Sequence, residues 1–237
     1  MFEKLFVTGE PDIIAEFYTR NKAKAPEAET IRRVEQMGHT VRVLPIDARG
    51  VVDLAACEAV IDEHTALVSC MQVSNETGAI QPVEALNKLA RRKNPNVRIH
   101  VDGVQGFMRV PMHMERMGVD LYALSGHKIH GPKGIGVLAV RPGVRLTPQI
   151  TGGGQEKGLR SGTESVPLIA AFGAAVAQTY PEIQKNHAHY CQLREHLIKN
   201  LVNKKEITMN SPENAVPYIC NFSVQGIRSE IMLHFLE

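Results

Sequence analysis

VRIHVDGVQGFMRVPMHMERMGVDLYALSGHKIHGPKGIGVLAV, residues 97–140, decides the fold class. It holds three runs rich in apolar and β-branched residues, VRIHV (97–101), VDLYALS (119–125) and IGVLAV (135–140), separated by turn-forming residues. Short apolar runs bounded by Gly, Pro and Asp read as buried strands. Upstream the pattern repeats. TVRVLPI (40–46) and TALVSCM (65–71) read as strands, and the amphipathic stretches 53–63 and 82–92 read as helices, the second opening with Pro82 in its first turn. Strands alternating with helices predict an α/β fold with a mostly parallel sheet covered on both faces. Such sheets place ligands outside the carboxyl ends of their strands. Chemistry is therefore expected in SNETG (74–78), DGVQG (102–106) and GHKIHGPKG (126–134).

Beyond these strands comes a polar glycine-rich stretch, TGGGQEKGLRSGTES (151–165), then a long helical region over 166–204 with a break near Pro181. The tail, with ITMN (207–210), YICNFSV (218–224) and SEIMLHFLE (229–237), predicts strand, loop, strand and helix. This divides the chain into a large unit, 1–175, and the start of a second, incomplete unit, 176–237.

The bulk composition excludes several function classes. Basic residues number 27 and acidic residues 25, and neither sign forms the block that a nucleic-acid arm or an anionic-membrane patch needs. The start, MFEKLFVTGEPD, places acidic residues where a secretory signal needs an unbroken apolar run, so a cytoplasmic location is expected. LIAAFGAAVA (168–177) is too short to span a bilayer. The four cysteines, Cys57, Cys70, Cys191 and Cys220, are widely spaced and suggest neither a zinc site nor a disulfide framework.

Lys128 sits where a strand enters a glycine-rich loop, a setting suited to a held, reactive amine. Schiff-base chemistry needs the neutral amine, favoured by desolvation or by neighbouring positive charge, which His127 and His130 could supply. Ser125, His127 and loop amides could hold a phosphate. The same segment also reads as a solvent-exposed basic loop. It lacks the Lys-Ser/Thr pair of a Walker loop, and two histidines without a third ligand make a poor metal site. Asp102 closes VRIHVD 26 residues earlier, and both side chains are expected at the same sheet edge. A carboxylate there could pair with a pyridinium nitrogen or could cap the next turn. Gln105 and Asn75 are uncharged groups suited to a ring oxygen and a substrate carboxylate, or to turns.

Taken together, MQVSNETGAIQP, HVDGVQ, SGHKIHGPKGIG and GGGQEKGLRSGTES resemble, in order and spacing, the motif series of the cysteine desulfurases within the class V aminotransferases. The resemblance implies a pyridoxal-phosphate (PLP) transferase fold of the aspartate aminotransferase type, with a large domain and an incomplete α+β small domain. It implies Lys128 as the lysine that carries PLP, Asp102 at the pyridine nitrogen and Gln105 at the phenolic oxygen. Asn75 would face the ring and substrate, and Ser125 and His127 the phosphate. Thr163 would reach the phosphate of a neighbouring subunit, which implies a homodimer. The implied reaction takes sulfur from L-cysteine, leaves alanine, and passes the sulfur to an acceptor or an iron–sulfur scaffold protein.

The sequence departs from the family pattern in three places. The nucleophilic cysteine and the substrate-carboxylate arginine of the family lie beyond the helix matching SEIMLHFLE, and none of the four cysteines falls in the matching place. This polypeptide by itself is therefore expected to lack them. LFVTGEPD (5–12) only faintly echoes the family's Ser-Gly-Gly-Thr-Glu phosphate loop, and Lys24 or a neighbour stands where a histidine stacks on the ring. Other readings of the same residues are a non-catalytic dimer or interaction module, a selenocysteine lyase, or an aminotransferase.

Overall fold

The computed structural model describes residues 13–16, 26–201 and 203–236. The expected readings at LFVTGEPD and Lys24 lie outside the described residues. Six strands form the main sheet: β1 (Ile13–Glu16), β2 (Thr40–Val43), β3 (Thr65–Met71), β4 (Arg98–Asp102), β5 (Leu121–Ser125) and β6 (Gly136–Val140). Their order is β2-β1-β3-β4-β5-β6, parallel except for β6, which runs antiparallel to β5. The register sets Cys70 beside Val101 and Val101 beside Tyr122.

These side chains share one face of the sheet and form the core with Val68, Ile99 and Leu124. Helix α3 (Val83–Lys93) covers that face with Val83, Leu86, Leu89 and Ala90, all buried at helical spacing. Its outer side is solvated, and Lys88 pairs with Glu84 one turn earlier at 2.8 Å. Pro82, expected inside the first turn, instead flanks this helix one position before its first turn.

Two expected elements end several residues short of the sequence pattern. The run 40–46 is a strand only to Val43. Asp47 then accepts from the Arg49 and Val51 amides at 2.9 and 3.0 Å and folds the chain back, so that Ile46 bridges Val52 antiparallel. A first helix, α1 (Pro26–Gln36), precedes β2, and the stretch 53–63 is helical only over α2 (Leu54–Cys57), capped by Asp53. Asp62 then accepts from the His64 amide and the Thr65 hydroxyl and pairs with Arg42 at 2.7 Å, drawing the chain out of the helix toward β3.

At the amino end of β5 the fully buried Asp120 ties the sheet to its surroundings. One oxygen accepts from the Ile99 amide and from Arg91, each at 2.8 Å. The other lies 2.5 Å from Arg141 without the alignment of a hydrogen bond, so charge alone holds that side.

After a one-turn helix, α4 (Met114–Met117), and the edge strand β6, the chain forms α5 (Val166–Thr179). The expected break at Pro181 is a single 3-10 turn at Tyr180–Glu182 with helical backbone angles on both sides, and α6 (Ile183–Leu201) follows. A separate two-stranded antiparallel sheet, β7 (Ile207–Met209) with β8 (Phe222–Val224), and α7 (Ser229–Leu236) complete the described chain.

Candidate functional site

Six of the expected residues, Asn75, Asp102, Gln105, Ser125, His127 and Lys128, lie at or just after the carboxyl ends of β3, β4 and β5. Asp102 ends β4 and Lys128 lies in the turn Gly126–Ile129 directly after β5; the two strands are neighbours, with Asp102 in register with Ala123. The Asp102 carboxylate accepts from the Val104 amide at 2.8 Å, which curls the DGVQG loop back over the strand end. Lys128 is half-buried, and its turn is pinned by the buried neighbour Ile129. Ser125 Oγ and His127 Nδ1 are hydrogen-bonded at 2.7 Å beside it, as a pair of polar groups at the mouth of the loop.

Asn75 is exposed on the turn after β3, whose backbone is held by Ser74 Oγ, accepting from the Glu76 and Thr77 amides. Gln105 is half-buried, and its carbonyl accepts from the Tyr218 hydroxyl at 2.6 Å. Thr163 belongs to a different, exposed loop, which the Ser161 amide fastens to the Ile150 carbonyl at 3.0 Å. Among the described residues no group of three or more metal-ligating side chains occurs.

Four residues that the sequence analysis missed build the floor of this site. Gln72 is buried and its side-chain oxygen accepts from the Tyr122 hydroxyl at 2.6 Å, while its backbone N–H donates to the Asp102 carbonyl at 2.8 Å. Both side chains lie directly under the DGVQG loop. A Cβ on Gly103 would come within 2.0 Å of the Tyr122 ring, and one on Gly106 within 2.1 Å of Gln72. The two glycines are what lets the loop lie so close to the sheet. Burial pushes the Tyr122 phenol well up, so it stays a hydrogen-bond donor at neutral pH. Arg109 and Tyr218 complete the set, with the guanidinium 4.7 Å from the Tyr218 ring centre. A polar residue directly after a buried strand, as Gln72 is, was the one local signal available in the sequence.

His100 sits on β4 two residues before Asp102 and therefore on the same face of the sheet. It is half-buried, hydrogen-bonded through Nδ1 to Ser69 Oγ at 2.8 Å, and burial pushes its pKa from 6.5 down to about 4. The unfolded chain thus binds a proton between those values that the folded chain refuses. Stability from this group is complete above about pH 6.5 and is lost as pH falls toward 4. The loss is expected to reach at most about 3 kcal/mol. Urea titrations at pH 7, 5 and 4 should show His100→Gln losing less stability on acidification than the parent; equal slopes would remove His100 from the account.

Comparison with known proteins agrees with this geometry. The class V aminotransferase profile matches residues 22–237. The cysteine desulfurase IscS of Rickettsia rickettsii is 40% identical over 209 residues, which is 86% of this chain and 50% of that protein. The mitochondrial cysteine desulfurase of Saccharomyces cerevisiae is 38% identical over 88% of this chain and 42% of its own length. Among solved structures, a NifS-like protein superposes with a TM-score of 0.89 at 36% identity, covering 96% of this chain and 61% of the other. The chain spans about half the length of the curated relatives it matches. A family match over nearly the whole sequence, together with lysine and aspartate on adjacent strand ends, leads to one statement of kinship: the chain belongs to the class V aminotransferase family, whose members are PLP-dependent.

Proposed function

We propose that this chain carries the cofactor-binding core of a PLP-dependent cysteine desulfurase, which takes sulfur from L-cysteine and passes it to an acceptor or iron–sulfur scaffold protein. The observation that carries the proposal is the emergence of Asp102 and Lys128 from the carboxyl ends of neighbouring parallel strands, with the Ser125–His127 pair beside them. These residues fit PLP by their chemistry: an amine for its aldehyde, a carboxylate for its ring nitrogen, and hydroxyl and imidazole donors for its phosphate. When bound, PLP supplies an electron sink next to the substrate carbon.

In this reading the residues divide the work. Asp102 holds a proton at the ring nitrogen, Gln105 orients the ring through its oxygen, and Asn75 faces the substrate side. Lys128 would hold the cofactor through its amine, and Nζ is the atom that would carry a proton at the substrate side. None of the four cysteines is assigned as the sulfur acceptor. Burial pushes the thiols of Cys57 (to about 11), Cys70 and Cys220 up and away from the reactive thiolate. Cys191 lies on α6, outside the strand-end loops.

A homodimer and a cytoplasmic location belong to the same proposal, as does the division into 1–175 and 176–237. Support for the dimer comes from the exposure of Thr163 and of the apolar Val166 and Ile169 just after it. Support for the division comes from the separate β7–β8 sheet. Among the described residues no helix is long and apolar enough to cross a membrane.

The test is spectroscopic. With PLP added, the chain is expected to develop an absorbance band that borohydride fixes covalently on Lys128 and that Lys128→Ala lacks. A folded chain without a Lys128-dependent band would defeat the proposal and favour the interaction-module reading.

A further inference from the structure

Tyr218 and Arg109 touch both loops of the candidate site, and they do so through backbone groups. The Tyr218 hydroxyl donates to the Gln105 carbonyl at 2.6 Å. Its ring lies against the Arg109 guanidinium, and Arg109 Nη2 donates to the carbonyl of Lys128 itself. The peptide groups of Gln105 and Lys128, which sit on loops after different strands, are thereby joined through one aromatic–cation pair. Burial raises the Tyr218 phenol to about 12, so the hydroxyl keeps its proton at neutral pH.

The segment that carries Tyr218 is itself anchored on both sides. Arg194 of α6 donates to the carbonyls of Pro212, Val216 and Ile219 at 2.9–3.0 Å. The Val216 amide donates to the Gly78 carbonyl at 2.9 Å, and Asn221 donates to the Glu76 carbonyl at 3.1 Å, so the segment also grips the Asn75 loop. Two of the strand-end loops thus meet one stretch of the carboxyl-terminal unit directly, and the Lys128 loop is reached from it through Arg109. A shift of that stretch would reach Lys128 through two contacts.

We propose that Tyr218 and Arg109 are positioning residues: a clamp that fixes the Lys128 peptide relative to the Gln105 loop and makes the readiness of Lys128 depend on docking of residues 212–221. The proposal deepens the cofactor reading and rests on it where Lys128 reactivity is concerned. Small errors in the placement of a reacting group are costly, since about 1 Å of displacement can cost on the order of a hundredfold in rate. The clamp acts on the backbone that carries the amine, so its loss should alter reactivity more than folding.

The experiment uses the whole chain with two readouts: the rate at which PLP becomes borohydride-trappable on Lys128, and peptide-level amide hydrogen exchange of residues 103–107 and 126–131. Tyr218→Phe keeps the ring against Arg109 and removes one oxygen. It is expected to slow trapping roughly five- to tenfold and to speed exchange in both segments, with little change in melting temperature. Arg109→Gln should slow trapping further, and Arg109→Lys should recover part of the loss. Parental exchange in both segments, or parental trapping in a variant whose segments exchange faster, overturns the clamp. If the parent chain itself links no PLP to Lys128, the cofactor reading fails, and the exchange data still decide whether the clamp joins the loops. If Arg109→Gln does not fold, Tyr218→Phe decides alone.

Discussion

Gly103→Ala is expected to destabilise the protein by about 3 kcal/mol or more, the largest effect available from adding a single carbon. The new Cβ would lie 2.0 to 2.3 Å from three atoms at the hydroxyl end of Tyr122. That ring is buried beneath the loop, and its hydroxyl donates to Gln72 at 2.6 Å. Moving the ring would add the cost of overpacking, about 1–3 kcal/mol, to that of stranding a buried amide oxygen, of similar size. Urea denaturation measures the sum. Tyr122→Leu in the Gly103→Ala background should recover part of it, because the shorter side chain vacates the contested space. A Gly103→Ala protein within about 0.5 kcal/mol of the parent would show that the loop stands off the sheet.

The second large effect is at the opposite end of the sheet. Asp120→Asn preserves shape and removes charge, leaving Arg91 and Arg141 facing a neutral amide inside the protein. Breaking a buried ion pair from one side costs about 3–5 kcal/mol. The lower value is expected here, because Arg91 remains 26% exposed and can recover some hydration. Asn also brings an N–H₂ group against the Ile99 amide or an arginine, where only an acceptor is useful. Chemical denaturation of Asp120→Asn, of Arg141→Met and of the double variant gives the coupling. An Asp120→Asn loss below about 1 kcal/mol would mean that water reaches the carboxylate.

What could be read from the sequence, and what could not, follows from how far apart the partners lie along the chain. The positions of Asp102 and Lys128 were legible because one ends a strand and the other lies in the turn after the next strand of a repeating strand–helix pattern, which determines the sheet edge they share. The helix expected at 53–63 failed because periodicity cannot register Asp62 turning its carboxylate onto the His64 amide, the Thr65 hydroxyl and Arg42. Gln72 and Tyr122 meet across 50 residues, and Tyr218 and Gln105 across 113, so no local pattern marks either pair. DGVQG showed its glycines but not their reason, which is a tyrosine ring on the adjacent strand.

The long reach of Tyr218 also has a meaning in time. A ribosome adds about 5–20 residues per second, so roughly 6–23 s separate the synthesis of Gln105 from that of its partner 113 residues later. Lys128 is made early in that interval, 23 residues after Gln105, while the contact that joins Tyr218 to the Gln105 loop can form only at its end. The nascent chain acquires its lysine early and its fastening late, and the order of assembly is written into the order of the sequence.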